Sequence, residues 1–402
     1  MFSSFKIRNQ VISNRIVRSA TADSETYASK SVTEATLKRY SKLAESGIGL
    51  IITGDFPTVT PEMLSDSNDR ATCYDYEKVR ITDIDKIPTV IHAANSETKV
   101  YAQLAPANIG SIPSNYPSPW GTEDMHILTE SEIHFIVNAF IKTALHLRDE
   151  GFDGVQLHAA HGGFLSLFLS PYANYRADHY GGSHENRCRI IAEIVEGIKK
   201  ECLDFPVIIK INATDYLPGG IDSSNFKAFV TAIINTDIDA IELSGGMWEA
   251  MQLSEEALGF PPIPALESRT SIGDISKQSY FRSYARLLKE VYKDIPVILT
   301  GGNRTPRLME EILESGDADF IGLCRPLICE PNLAAKWTIN PEYKPKCINC
   351  NACIYDLWNH PGSDTFSETR CLYNLQRADP THKAIYAEAI RWLHAWKSDN
   401  IG

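Results

Sequence analysis

No apolar stretch in the chain approaches the roughly 18 residues of a transmembrane helix. The opening, MFSSFKIRNQ, lacks the long apolar segment of a secretory signal. Positive charge is in deficit: 39 Lys and Arg against 51 Asp and Glu leave a formal net charge of −12. An acidic chain without a long basic run is a poor partner for nucleic acid or for an anionic membrane. Cysteine is too scarce, nine in 402 residues, for a small disulfide scaffold. No internal repeat or low-complexity tract is present. A Gly-x-Gly-x-x-Gly turn after an early strand is also missing, which argues against an open dinucleotide-binding sheet. The expectation left standing is a soluble enzyme of the cytoplasm.

The few cysteines are unevenly placed. Cys347, Cys350, Cys353 and Cys371 crowd near the C-terminus, whereas Cys73, Cys188, Cys202, Cys324 and Cys329 scatter. In a reducing compartment that pattern favours one local metal or cluster site.

Eight short apolar runs rich in Ile and Val recur along the chain: Ile16–Thr21, Ile48–Gly54, Lys99–Ala105, Asp153–His158, Pro206–Asn212, Ile238–Gly245, Ile295–Gly301 and Ala318–Cys324. Near-continuous apolar strands suit a parallel sheet buried on both faces. Amphipathic segments of helical length lie between them, at Glu34–Ser46, Glu130–Glu150, Glu185–Glu201, Ser223–Asn235, Ser276–Tyr292 and Pro306–Ser315. Thr33 before Glu34, and Thr305 before Pro306, are helix-opening signals. The alternation predicts an α/β fold, a (β/α)8 TIM barrel over residues 1–335. A C-terminal cysteine-bearing extension over 336–402 follows, closing in a helix at Lys383–Lys397. Two insertions, Ala105–Asp124 and Gly245–Ser271, leave the C-terminal ends of strands three and six, where barrel enzymes build their sites. Each is a pocket wall or a solvated loop; Trp120, Met247 and Trp248 are the residues that would shape a pocket.

The strand ends carry the chemistry. Strand four exits through His158-Ala-Ala-His161-Gly-Gly163, and two imidazoles three residues apart at a turn can converge on one oxygen. A pair of core histidines is the plainer alternative, and a metal site would lack a third ligand nearby. Strand seven ends in Gly301-Gly302-Asn303, and strand eight in Cys324-Arg325. Glycines admit backbone amides to a phosphate and an arginine completes the clamp, at the loops where this barrel class binds phosphate. Gln103 and Lys210 are polar residues inside apolar strands. A buried lysine needs an anion, either a reduced flavin or a carboxylate such as Glu242.

These residues resemble the Old Yellow Enzyme family. The resemblance rests on NRIVRSAT (Asn14 to Thr21), on the strand-four exit, and above all on FLSPYANYRADHYGGSHENR, Phe168 to Arg187. It covers residues 1 to about 335. It implies a bound FMN and hydride transfer from reduced flavin to the C=C bond of an α,β-unsaturated carbonyl or thioester, with NAD(P)H as reductant. By resemblance, Ala20 and Thr21 offer backbone contacts to the flavin, and Gly54 and Gln103 lie against its ring. Lys210 sits near N1 and O2. Gly301, Gly302, Asn303, Cys324 and Arg325 surround the phosphate, and His158 and His161 hold the substrate oxygen. Asp178 to Arg187 is architectural.

Two positions depart from the family pattern. Gly163 stands where relatives place a proton-donating tyrosine, and Ala22 where they often carry Thr or Cys. Protonation would then fall to water, a substrate-held group, or a tyrosine such as Tyr27 or Tyr172. Cys347, Cys350, Cys353 and Cys371 resemble the cluster segment of the dienoyl-CoA reductase and trimethylamine dehydrogenase branch, with a longer gap to the fourth cysteine. A [4Fe–4S] cluster, zinc, and no metal at all remain open. That branch continues into a domain for FAD and NAD(P)H, so a cluster here would draw electrons from a separate donor protein. An oxidative demethylase or dehydrogenase, and a flavin electron-transfer protein, are the alternative functions. A homo-oligomer is compatible with any of them.

Overall fold

Strands that are apolar on both faces can be buried only between two apolar layers, and eight of them close here into one parallel barrel. The structure, a computed structural model, describes all residues except 24, 25, 27, 28, 30, 59–80, 107–110, 120, 123, 263, 264, 356–368, 401 and 402. Cys73, Tyr27 and Trp120 therefore lie outside the described residues, and of 396–400 only the helical backbone is described.

The chain opens with a hairpin of β1 (Phe5–Ile7) and β2 (Gln10–Ile12). The barrel then runs β3 (Ile16–Arg18), β4 (Leu50–Pro57), β5 (Lys99–Ala105), β8 (Gly154–Ala159), β9 (Val207–Asn212), β10 (Ala240–Ser244), β11 (Val297–Thr300) and β12 (Phe320–Leu323). β12 pairs back onto β3 through Ile321 and Ile16. The short pair β6 (Ser111–Ile112) and β7 (His126–Ile127) lies in the insertion after β5. All eight expected barrel strands are present.

Alternation along each strand sorts residues into layers. Val17, Leu50, Ile52, Tyr101, Ile208, Ala240, Ile298 and Phe320 fill the lower interior, and the hairpin closes it from below with Ile7 and Ile12. Two residues further along the same strands come Ser19, Gln103, Gln156, Lys210, Glu242 and Thr300. The inner floor of the barrel thus changes from apolar to polar within one period of the strand.

The outward residues meet the helices. Helix α1 (Glu34–Glu45) starts at Thr33, whose side chain accepts from the Thr36 amide. After α2 (Lys86–Ala94), α3 (Glu130–Asp149) opens with a capping box between Thr129 and Glu132. Short α4 (Phe164–Leu169) and α5 (His184–Arg187) precede α6 (Arg189–Glu201), so the helix expected from Glu185 to Glu201 is split at Cys188. Then come α7 (Phe226–Ile234), α8 (Glu255–Leu258) and α9 (Arg282–Val291). Helix α9 begins six residues later than Ser276, because Asp274 caps a separate turn and Ser279 takes a left-handed φ of 49°. Helix α10 (Pro306–Glu314) carries Pro306 in its first turn. No helix among the described residues is long and apolar enough to cross a membrane.

Beyond β12, α11 (Arg325–Cys329) and α12 (Leu333–Ile339) return to the barrel, where Trp337 is fully buried. The expected boundary near residue 335 falls inside α12. The C-terminal segment, with α13 (Leu372–Ala378) and α14 (Lys383–Asn400), packs on the barrel mouth. Arg304 donates to Cys347 O at 2.9 Å, Asn351 to Ser268 O at 2.5 Å and Thr369 to Ala22 O at 2.8 Å. The Phe168–Arg187 run braces this architecture. Asn174, fully buried, donates to Phe168 O and Tyr180 O at 2.7 Å each, and Arg187 reaches back to Asn174 O.

Candidate active site

A cavity of about 320 Å³ opens at the C-terminal ends of the strands. It brings together residues from nearly every strand exit. His158, His161, Ala20, Thr21, Gln103, Lys210, Gly301, Gly302, Asn303, Cys324 and Arg325 all line it. Gly54 does not. A bulge between Ile52 and Asp55 places Asp55 opposite Gln103, so Asp55 turns inward where Gly54 was expected. Gly54 lies behind the wall, where a Cβ would stand 2.9 Å from Thr21 O.

The polar floor is one connected network. Gln103 donates to Gln156 at 2.7 Å, and Gln156 to Glu242 Oε2 at 2.7 Å. Glu242 Oε1 accepts from Ser19 at 2.6 Å and Thr300 at 2.7 Å, and faces Lys210 Nζ at 3.2 Å. Burial alone would raise the Glu242 carboxyl, but Lys210 and these donors hold it below the usual range. Lys210 thus has its anion within the protein, the carboxylate alternative that the sequence left open.

Above the floor stands the histidine pair, ring centroids 5.4 Å apart. His161 adopts a left-handed φ of 62°, with its backbone amide pinned by Asn212 Oδ1 at 3.0 Å. Its Nε2 is hydrogen-bonded to Ser244 Oγ at 2.6 Å. His158 Nδ1 is buried without a partner. Burial pushes the His158 imidazole down to about 3, helped by His161 and Lys210. Burial and Lys210 do the same to His161, also to about 3. At neutral pH the pair is uncharged, so each ring offers one N–H donor. Gly163, at the start of α4, leaves open the position where relatives hold a tyrosine; a Cβ there would lie 3.8 Å from His158 Nε2. Tyr172 donates to Pro117 O and Tyr116 to Glu249 at 2.8 Å, and neither lines the cavity. Met247 and Trp248, the latter 53% exposed, form an apolar wall.

The far end is a glycine turn. Gly301 and Gly302 have φ of 123° and 76°, and a Cβ on either would run into the Tyr280 ring at 2.7 and 2.6 Å. Asn303 contributes its backbone, because its side chain donates to Leu299 O at 2.6 Å and Gly322 O at 3.0 Å and accepts from Ser279. Arg325 Nη1 donates to Arg269 O at 2.9 Å and Asn351 Oδ1 at 2.6 Å. The unpartnered buried His158 Nδ1 above the polar floor, and the glycine turn that admits no Cβ, suit a planar polar ring with a phosphate tail.

The cysteines gather beside this end. Cys347, Cys350, Cys353 and Cys371 line a small second cavity that shares Arg325, Ile328, Asn349 and Cys353 with the first. A single zinc at about 2.3 Å from each sulfur needs a tight thiol group. Among the described residues no group of three or more His, Cys, Asp or Glu is placed to hold one ion. Cys329, on α11, is hydrogen-bonded to Cys371 and draws that thiol below its usual range. Sequence spacing gave no sign of this fifth cysteine. Glu267 was also missed; it lines the cavity from inside the insertion after β10, and burial raises its carboxyl.

A family model described as NADH:flavin oxidoreductase / NADH oxidase matches residues 1–340. An NADH oxidase of Thermoanaerobacter brockii is 29% identical over 88% of this chain and 53% of its own length. A cinnamate reductase of Clostridium sporogenes is 27% identical over 86% of the chain and 54% of its own. This chain therefore spans about half the length of these relatives. The structure of a 2-naphthoyl-CoA reductase with 2-naphthoyl-CoA superposes with a TM-score of 0.74 at 21% identity, over 96% of this chain and 57% of that one, which shows the shared fold.

Proposed function

The chain belongs to the NADH:flavin oxidoreductase / NADH oxidase family, and from that premise we propose that it binds FMN at the barrel mouth and reduces the C=C bond of an α,β-unsaturated carbonyl or thioester. The observation that carries this reading is the neutral His158–His161 pair, which opens into the same cavity as the glycine turn and Arg325. The names of the cinnamate reductase and the naphthoyl-CoA reductase support the substrate class.

Bound FMN would supply the hydride that attacks the β-carbon. The chain's own residues do the rest. Gly301, Gly302 and the Asn303 backbone receive the phosphate with Arg325, while Ala20, Thr21, Gln103 and Cys324 surround the ring. His158 and His161 donate to the carbonyl oxygen and stabilise the charge that develops there as the β-carbon is reduced. Their neutrality matters, since the N–H of a neutral imidazole, unlike that of an imidazolium, polarises the carbonyl without giving up a proton. The α-carbon proton comes from water at the open mouth. Tyr280 lines the cavity, but its hydroxyl is committed to Glu267 O.

Cys347, Cys350, Cys353 and Cys371 hold a [4Fe–4S] cluster in this reading. Electrons then reach the flavin from a separate donor protein by way of the cluster; without a cluster, NAD(P)H at the cavity mouth is the direct reductant. An absorption spectrum of anaerobically purified protein, with iron and zinc assayed on the same sample, tests both centres. Flavin bands with a broad shoulder and about four irons are expected. Zinc, or flavin without iron, removes the cluster; a colourless protein that cannot be reconstituted with FMN removes the whole reading.

A further inference from the structure

The phosphate end of the cavity is not built by the barrel alone. Asn349, Cys353, Ile354 and Thr369 of the C-terminal segment line it together with the glycine turn. Two arginines join that segment to the barrel, one from each strand exit at this end. Arg304 follows Asn303 after β11; its Nη2 donates to Cys347 O at 2.9 Å and its Nη1 to Asn349 Oδ1 at 3.4 Å. Arg325, after β12, donates through Nη1 to Asn351 Oδ1 at 2.6 Å and to Arg269 O at 2.9 Å. Asn351 is 1% exposed and has a left-handed φ of 62°, and its amide nitrogen donates to Ser268 O at 2.5 Å. One side chain of the cysteine loop, between Cys350 and Cys353, thus grips both the guanidinium and the insertion after β10.

Resting on the reading that FMN fills the cavity, we propose that Asn351 is a positioning residue that presents Arg325 to the phosphate, so that folding of the cysteine loop 347–353 and FMN affinity are coupled. The chemistry of the holder matters. An amide oxygen fixes the guanidinium while leaving its charge unanswered, whereas a carboxylate at the same place would neutralise the cation and repel a phosphate. A long arginine side chain loses rotamer freedom when it binds, and one already held in place loses less. Arg325 is held by Asn351 only while the loop is folded. By linkage, a phosphate that favours the held arginine favours the folded loop by the same factor.

The test compares FMN with riboflavin, which lacks the phosphate, by fluorescence titration of the flavin-free full chain. Asn351→Gly removes both hydrogen bonds, and glycine accepts the left-handed backbone without strain. Its FMN dissociation constant should rise about tenfold or more, the worth of a hydrogen bond to a charged group, while riboflavin affinity stays within about threefold. In an Arg325→Ala background the same change should cost FMN less than about threefold, because the route through Arg325 is already gone. An FMN affinity within threefold of the wild type overturns the proposal. So does an equal loss for both flavins, which would make Asn351 structural, or a full additive loss in the double variant. If Asn351→Gly does not fold, the wild type carries the test after treatment with a chelator. FMN should then slow alkylation of Cys347 and Cys350, relative to Cys202 beyond the far end of α6, by about tenfold or more, and riboflavin should do so far less. Protection by FMN no greater than that by riboflavin overturns the coupling. Wild-type protein that binds neither flavin refutes the functional reading itself, before any variant is compared.

Discussion

Replacing Glu242 with glutamine keeps the size of the side chain and removes the charge on which the barrel floor depends. Glu242 is fully buried and serves three donors and one cation at once. In Glu242→Gln, Lys210 remains buried without its carboxylate, and breaking a buried pair from one side costs about 3–5 kcal/mol. The new amide must also turn one N–H toward Ser19, Thr300 or the Gln156 amide, all of which are donors. A mismatch of that kind costs about 1–3 kcal/mol more. Against a total stability of about 5–15 kcal/mol, the variant should be barely folded. Urea unfolding of flavin-free protein at neutral pH, followed by circular dichroism, measures the loss. Adding Lys210→Met should recover most of it, because the stranded charge is then gone. A loss below about 1 kcal/mol with an unchanged denaturant slope would refute the view of the floor as a charge-balanced unit. The sign with pH follows from the lowered carboxyl: the Glu242 contribution is complete above the ordinary carboxylate pKa and is lost as pH falls through the lower folded value. Glu242→Gln should lack that acid dependence.

His158→Ala and His161→Ala should each weaken binding of a phenol over the flavin by about tenfold or more, the worth of a hydrogen bond to a charged group, with FMN retained; unchanged phenol affinity in both would make the pair structural. Because both folded values, about 3, lie below the unfolded value of about 6.5, the neutral pair costs nothing above pH 6.5 and destabilises the fold as pH falls toward 3. A double variant lacking both rings should therefore lose less stability between pH 6.5 and 5 than the wild type. Gly163→Tyr has a permissive φ of −63°, though Ala160 O, 3.3 Å from a Cβ there, must shift slightly to admit it; enone turnover should rise about 100-fold, the lower end of the range of acid catalysis, and no rise would show that the proton comes by another route. Arg325→Ala should raise the FMN dissociation constant about 10- to 100-fold, the worth of a charge-assisted hydrogen bond; fluorescence titration showing unaltered affinity would remove Arg325 from the phosphate site.

The barrel was legible because parallel strands buried on both faces announce themselves as apolar runs, and the polar intruders among them mark the floor. Lys210 and Gln103 stood out for that reason. Period two along the same strands also places Gln156, two residues before His158, and Asn212, two after Lys210, in the interior, where they connect the floor and pin the His161 turn. The exchange of Gly54 for Asp55 was not legible, because a one-residue bulge leaves no mark in composition yet reverses which side chain faces inward. The contact of Cys329 with Cys371 joins positions 42 residues apart and depends on how the C-terminal segment folds back over α11.

The central claim, hydride delivery to an activated alkene held by two neutral histidines, is tested most directly by anaerobic mixing of the reduced, FMN-loaded protein with cinnamaldehyde and with an unsaturated thioester. The account predicts that at least one of them reoxidises the flavin, with one saturated product formed per flavin, and that the double histidine variant does so far more slowly. A flavin that stays reduced with both compounds, or reoxidises equally fast without the histidines, would contradict it.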